Sequence, residues 1–243
     1  MPAVKKLSVV VPYRDREEHL RQFVPHICTF LQKNLPAVPV RIDVVEQCGE
    51  APFNRGKLIN CGFDIVQKDV DYVVFHDVDY LPVEADYGYT TKPTRLIWHG
   101  LTLKEDYENF FGAVCGMPVG DFSAVNGFSN EFWHWGCEDV DLRLRIQSCG
   151  LTIERRDGEF RSLQHVHNGF RAPGELRSEV LPNFRRLQRV WNGVPGSIAR
   201  AEGLSTLDYK LEKTVTLFSA GGGNPNAYLH RVHIGEPIGH DLG

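Results

Sequence analysis

No run of apolar residues in the 243-residue chain is long enough to cross a bilayer. The opening residues, Met1-Pro2-Ala3-Val4-Lys5-Lys6, carry no apolar signal-peptide core and lead straight into a strand pattern. The reading is a cytoplasmic protein, or one trimmed of a targeting segment. Neither charge sign dominates. With 27 Lys and Arg against 31 Asp and Glu, the net charge is −4, which leaves no electrostatic case for nucleic acid or anionic lipid. None of the six cysteines (Cys28, Cys48, Cys61, Cys115, Cys137, Cys149) falls in a Cys-x-x-Cys pair or a zinc-ribbon spacing. Several lie in apolar text, where a thiol acts as a small hydrophobe, so reduced cysteines are expected; an exported protein could still pair them. There is no internal repeat and no low-complexity segment. What remains is ordinary globular composition, 42% hydrophobic and 24% charged, and a length suited to a single domain over residues 1–243.

Leu7 to Pro12 is a short apolar run, read as a first strand. Glu17 to about Asn34 has helical periodicity, with Pro25 expected to kink or split it. Val40 to Val45 reads as a second strand. Asn54 caps a helix over about Arg55 to Lys68, and Tyr72 to Phe75 is a third strand. Strand, helix, strand, helix, strand with short joints predicts parallel pairing with right-handed crossovers. From Pro82 to Leu103 the text is loop-rich, apart from a possible strand at Arg95 to Trp98. Further strands are expected at Phe111 to Gly116, Leu151 to Ile153 and Phe160 to Val166. One helical turn is expected at Asp121 to Val125, and helices at Glu138 to Cys149, stopped by Gly150, and at Glu179 to Trp191. Leu207 to Leu217 and Tyr228 to Ile234 alternate like a hairpin.

Four constellations carry chemistry. Asp77-Val78-Asp79 follows the third strand directly, and open α/β sheets bind ligands outside the carboxyl ends of their strands. Asp-x-Asp is a simple oxygen set for a divalent cation, and equally a plain turn. Pro12-Tyr13-Arg14-Asp15-Arg16 and Phe53-Asn54-Arg55-Gly56-Lys57 each end a strand and open a helix. Arginines there suit phosphate, and Phe53 suits stacking on a base; a solvated loop and a capped helix are the bland alternatives. Asn126 to Asp139 packs Trp133, Trp135, glycines and polar residues ahead of Glu138-Asp139. Aromatic faces beside carboxylates suit a sugar, and a carboxylate can act as general base on a hydroxyl. His165-Val166-His167 places two imidazoles on one face of a strand, incidental alone but a credible metal pair beside Asp77 and Asp79. Mixed oxygen and nitrogen ligands favour Mn2+ over Mg2+ or Ca2+.

In this order, over about residues 7 to 235, these motifs resemble the β-1,4-galactosyltransferase family. Pro12 to Leu20 is similar to its first UDP-binding motif and Phe53 to Asn60 to its Phe-Asn-Arg-(Ala/Gly)-Lys-Leu motif. Asp77-Val78-Asp79 is similar to its metal motif, and Phe132 to Asp139 to its Trp-Gly-Trp-Gly-x-Glu-Asp motif. His165-Val166-His167 is nearest the branch that transfers galactose to xylose. The resemblance implies an α/β GT-A fold, with a mostly parallel central sheet flanked by helices and a C-terminal acceptor-side portion. It divides the domain into a UDP-binding half to about residue 80 and an acceptor half beyond. It also implies an inverting transfer of galactose from UDP-galactose to a sugar hydroxyl, forming a β-linkage. Asp139 would be the base and Glu138 a partner of acceptor or donor sugar. Pro12, Arg14, Arg16, Phe53, Arg55, Asp77 and Val78 would hold the donor. Trp135, Gly136 and Phe110 would line the acceptor side, and Asp79, His165 and His167 would ligate Mn2+.

The chain departs from the family pattern at three places. His134 stands where the family usually has glycine, and Cys137 where glycine or arginine is more usual. Phe110 stands where galactose users carry a tyrosine touching the donor sugar, which leaves UDP-N-acetylgalactosamine open as donor. No membrane anchor or stem precedes the motifs, which suggests a soluble relative of bacterial type. A non-catalytic UDP-sugar or glycan-binding module and a metal-dependent phosphoesterase are the readings from other classes.

Overall fold

The computed structural model describes residues 4–97, 110–164, 170–172, 175–176, 181–192, 201–220 and 224–237. The chain opens with β1 (Leu7–Tyr13), α1 (Glu17–Asn34), β2 (Val40–Gln47), α2 (Arg55–Val66) and β3 (Tyr72–His76). β1 pairs in parallel with β2 on one side and β3 on the other. Successive right-handed crossovers to opposite sides of β1 put α1 and α2 on opposite faces of the sheet. The packing agrees. Leu7, Val9 and Val11 join Phe23, Ile27 and Leu31 in one core, while Val10 joins Leu58, Ile59 and Phe63 in the other.

The chain continues through β4 (Tyr80–Glu84), β5 (Thr94–Ile97), β6 (Val114–Pro118), α3 (Val119–Ala124), α4 (Glu138–Ser148) and β7 (Glu154–Ser162). A two-stranded pair follows, β8 (Phe170–Ala172) with β9 (Glu175–Leu176), then α5 (Leu181–Trp191), β10 (Lys210–Phe218) and β11 (Asn226–His233). Nine strands form one sheet in the order β10-β11-β2-β1-β3-β6-β5-β7-β4. Its β11-β2-β1-β3 core is parallel, and antiparallel pairs carry it outward through β6 and β10. The expected C-terminal hairpin forms as β10 and β11, and β11 docks in parallel on β2.

Several local expectations shift, each for a physical reason. Pro25 does not split α1, which runs unbroken. Pro25 and Arg21 are both exposed, so the carbonyl deprived of its N–H faces solvent, while Phe23, Val24, Ile27, Cys28 and Leu31 bury the opposite stripe. Pro82, where the loop-rich text is expected to begin, lies within β4. That strand is the sheet edge, where a missing N–H costs no ladder bond, and its pairing with β7 shifts register between Pro82 and Glu84. The strand expected from Phe111 begins instead at Val114, after Ala113 at φ 54°. In place of two short strands near residues 151 and 160, β7 runs from Glu154 to Ser162. The helix expected from Glu179 is α5, from Leu181. All six cysteines are free thiols. No described helix is long and apolar enough to cross a membrane.

Candidate active site

The strand order reverses at β1, since β2 lies to one side and β3 to the other. Such a switch point opens a crevice at the carboxyl ends of the strands. Asp77 leaves β3 there, its N–H donating to Ala113 O at 2.9 Å. His76 is fully buried behind it, and burial lowers its pKa to about 4. The neutral ring is held at both nitrogens: Nδ1 lies 2.9 Å from Asp77 O and Nε2 2.8 Å from the Tyr87 hydroxyl. A carbonyl only accepts, so Nδ1 carries the proton and Nε2 accepts from Tyr87.

Arg55, first residue of α2, joins the two parts of the site. Its Nε donates to Asp77 Oδ1 at 2.7 Å and its Nη1 to Asp139 Oδ1 at 2.8 Å, while Glu138 Oε1 lies 3.8 Å from Nη1. The guanidinium covers the Phe128 ring at 5.8 Å. Its Nη2 is buried and has no hydrogen-bond partner. An unsatisfied buried donor on a cation is what an absent anionic ligand would account for. Burial opposes the charge on Arg55, yet Asp139, Asp77 and Glu138 outweigh it and hold the guanidinium pKa well above its ordinary value. Burial raises Asp77 and Asp139 in turn. Asp77 is pushed up to about 6 against the pull of Arg55, and Asp139 well above the usual range, with Glu138 and Asp77 adding to the rise. A raised carboxylate near a guanidinium suits a group that must take up a proton.

The site is rigidly stitched. Asn54 caps α2 by accepting from Lys57 N at 2.9 Å, and its Nδ2 donates to Asn130 O at 2.7 Å. Asn60 Nδ2 donates to Phe128 O and to Asn130 Oδ1. The tryptophan loop hangs from this seam, with His134 N donating to Phe53 O at 2.8 Å. From the far side Asn183 Nδ2 meets the carbonyls of Trp133, Gly136 and Trp135 at 2.8, 3.1 and 3.2 Å. Trp133 is buried, whereas Trp135 is 39% exposed. Within the loop His134, Gly136 and Cys137 all adopt left-handed backbone, at φ 66°, 100° and 77°. Gly136 does so freely; His134 and Cys137 do so with a Cβ, at the two positions that depart from the family pattern.

The other sequence-predicted residues lie as follows. Arg14 covers the Phe53 ring at 5.5 Å and donates to Ala51 O at 2.6 Å, so the first two motifs meet. Pro12 is buried in β1 and Val78 is buried beside Asp77. Arg16 is the N-cap of α1, half-buried, without a side-chain cap bond. Phe110 is half-buried against the α1-side core. The Asp79 carbonyl accepts from Leu163 N at 2.7 Å. His165 and His167 lie outside the described residues.

Three contributors were not assigned to the site by sequence reading. Gly112 lies so close to Asp139 that a Cβ would stand 2.8 Å from Oδ1 and nearer still to Oδ2 and Cγ. Tyr87 holds His76, and Asn183 holds the loop. Only Gly112, flanked by Phe111 and Ala113, offered a signal: a glycine in apolar text where a backbone must come close to something.

Residues 2–92 match the model of the N-terminal region of glycosyl transferase group 7, and residues 96–168 that of the N-terminal domain of galactosyltransferase. The crystal structure of the catalytic domain of Drosophila β-1,4-galactosyltransferase 7 in complex with xylobiose aligns over 96% of this chain and 95% of its own. Its TM-score is 0.76 and its identity 29%. The fold is that of a GT-A glycosyltransferase. Among curated relatives, β-1,4-galactosyltransferase 5 of Mus musculus is 39% identical over 176 residues, covering 68% of this chain and 44% of the relative. β-1,4-Galactosyltransferase 7 of Drosophila melanogaster is 36% identical over 176 residues, covering 69% and 54%. The chain thus spans about half the length of the curated relatives it matches. It belongs to the β-1,4-galactosyltransferase family.

Proposed function

We propose that the chain is an inverting, metal-dependent galactosyltransferase that moves galactose from UDP-galactose to a hydroxyl of a saccharide acceptor, forming a β-linkage, β-1,4 by family. The observation that carries this reading is the single guanidinium of Arg55 gripping Asp77, on the nucleotide side, and Asp139, on the acceptor side. A mutant of Drosophila β-1,4-galactosyltransferase 7 is solved with manganese, UDP-Gal and xylobiose, at 29% identity and a TM-score of 0.72.

In this proposal one domain carries both halves, divided at about residue 80. Phe53 and Arg14 form a cation–aromatic pair at the strand ends, suited to a base and its phosphates, with Pro12, Arg16 and Val78 bordering it. Arg55 offers its unpaired Nη2 to the donor, and Asp77, fixed on Nε, faces the same ligand. Asp79, His165 and His167 would hold Mn2+. The donor chemistry fits: Asp79 supplies a hard oxygen, and Leu163, bonded to its carbonyl, brings the chain to within two residues of His165. When bound, the ion supplies positive charge to the departing diphosphate. Trp135, itself exposed, receives the acceptor with Gly136 and Phe110. Asp139 takes the proton from the acceptor hydroxyl as that oxygen attacks the anomeric carbon, and Glu138 hydrogen-bonds the sugar. Arg55 keeps Asp139 oriented and ready to ionise.

Purified protein incubated with UDP-galactose, Mn2+ and a saccharide panel, read by mass spectrometry, should give a product one hexose heavier than its acceptor. Asp139→Asn should slow it by about 10² to 10⁴-fold. Transfer at the wild-type rate by Asp139→Asn would sink the base assignment. Phe110 supports a second reading, N-acetylgalactosamine transfer by the same chemistry, and rates with the two donors decide between them. A cytoplasmic location belongs to the same proposal, supported by the six free thiols; recovery of the native protein with oxidised cysteines would count against it.

A further inference from the structure

We propose that Cys48, Glu212 and His233 form a zinc site, separate from the transfer site, that fastens the β2 exit loop to the C-terminal hairpin. Their ligand atoms (thiol sulfur, carboxylate oxygen, imidazole nitrogen) all lie within 4.8 Å of one another. Among the described residues this is the one group of His, Cys, Asp and Glu side chains so placed.

The topology builds it. β11 pairs with β2 in a register that sets Val232 against Gln47, and Cys48 N continues the ladder by donating to Val232 O at 2.8 Å. One step further, Cys48 comes level with His233. β10 arrives on the outer side, with a register shift between Leu211 and Lys213. Glu212 is the residue left over at that shift, and a bulge re-aims a side chain in this way. Its carboxylate lies 3.0 Å from His233 Nε2. Bonds of 2.0 to 2.3 Å in a tetrahedral zinc site put neighbouring ligand atoms about 3.5 Å apart, so small rotations close this triad. Thiolate, imidazole and carboxylate together suit zinc better than magnesium, calcium or manganese.

The surroundings permit a cation. Arg231 borders the triad, with Nη1 3.7 Å from Glu212, and its Nε is committed to Glu46 at 2.9 Å. Lys210 pairs across from His233 and is exposed. Glu212 and His233 are exposed and Cys48 is half-buried, so an ion has access and water can fill a fourth position. Burial and Glu212 raise the Cys48 thiol pKa, so binding releases its proton to solvent. The loop from Cys48 carries Phe53 and ends at Arg55, so the clamp would hold the entry to the nucleotide side.

Co2+ is the discriminating probe, because a thiolate ligand gives a near-ultraviolet charge-transfer band that the Asp79–His165–His167 set cannot produce. The wild type should develop the band with one equivalent of Co2+ and lose it on adding Zn2+. Its melting temperature should rise with Zn2+. Cys48→Ser should fold without metal, show no band and a smaller Zn2+-dependent rise than the wild type. His233→Ala should bind Zn2+ at least about 10-fold more weakly, since a direct ligand is worth no less than the outer-shell partners that orient one. Asp79→Asn should keep the band. Absence of the band in the wild type, its persistence in Cys48→Ser, or its loss in Asp79→Asn overturns the proposal.

Discussion

Gly112→Ala tests the catalytic geometry without touching a charged group. The added methyl would stand 2.8 Å from Asp139 Oδ1 and closer to Oδ2 and Cγ, where ordinary contact begins near 3.4 Å. The carboxylate must retreat by about 1 Å, and that retreat opposes its 2.8 Å bond from Arg55. A misplacement of about 1 Å costs on the order of 10²-fold in rate, or about 2.7 kcal/mol of transition-state stabilisation. Gly112 is not in left-handed backbone, so alanine brings no strain of its own. Gly116, in β6, is the internal control: its Cβ would meet Thr90 and Val74 side chains at 3.5 Å, an ordinary contact. We expect kcat for UDP release in the presence of acceptor to fall about 10²-fold in Gly112→Ala. Gly116→Ala should stay within about a factor of two. Circular dichroism and thermal melting establish that both variants fold. A folded Gly112→Ala with wild-type kcat would refute the reasoning, for Asp139 would then not need its present position.

Arg55→Gln leaves Asp77, Asp139 and Glu138 without their shared cation. Urea unfolding at neutral pH should show a loss of about 3–5 kcal/mol, shrinking in acid as the carboxylates protonate; a loss equal at both pH values contradicts the clamp. The raised pKa values of Asp77 and Asp139 set activity against stability. Folded carboxyls that hold protons more tightly than unfolded ones stabilise most below about pH 4, and that contribution fades as pH rises through about 6 and beyond. A general base needs the ionised form, so kcat/KM should climb over the window in which ligand-free melting temperature declines, and parallel profiles would be the adverse result. His134→Gly should raise stability by about 0.5–1 kcal/mol. Relief of a left-handed residue, about 1–2 kcal/mol, exceeds the entropy glycine adds to the unfolded chain; a destabilised variant would show that the imidazole makes compensating contacts.

The first half of the fold was legible because its signals are local. Apolar strands and an amphipathic α1 follow in close order, and Asn54 caps α2 as its side chain suggests. Legibility failed at Pro82 in β4, where the sheet edge relaxes the rules, and in the charged text of β7 next to it. At the site, motif residues could be named, but their meeting could not be read. Arg55 reaches Asp77 22 residues away and Asp139 84 residues away. Neither separation leaves a periodicity, and the closeness of Gly112 to Asp139 is wholly tertiary. Cys48, Glu212 and His233 were likewise invisible as a group, because a register and a bulge bring them together.

The seat of β11 beside β2 also bears on the order of events during synthesis. Asn226 pairs with Arg41, and 226 − 41 gives 185 residues between them. At roughly 5–20 residues per second, a ribosome takes about 10–40 s to make that stretch. For all of that time the outer edge of β2 has unpaired backbone groups and no strand beside it, a template for another nascent chain. The nucleotide side can take shape early, but its flank is sealed only when β11 arrives, so a chain truncated before Asn226 should aggregate rather than fold.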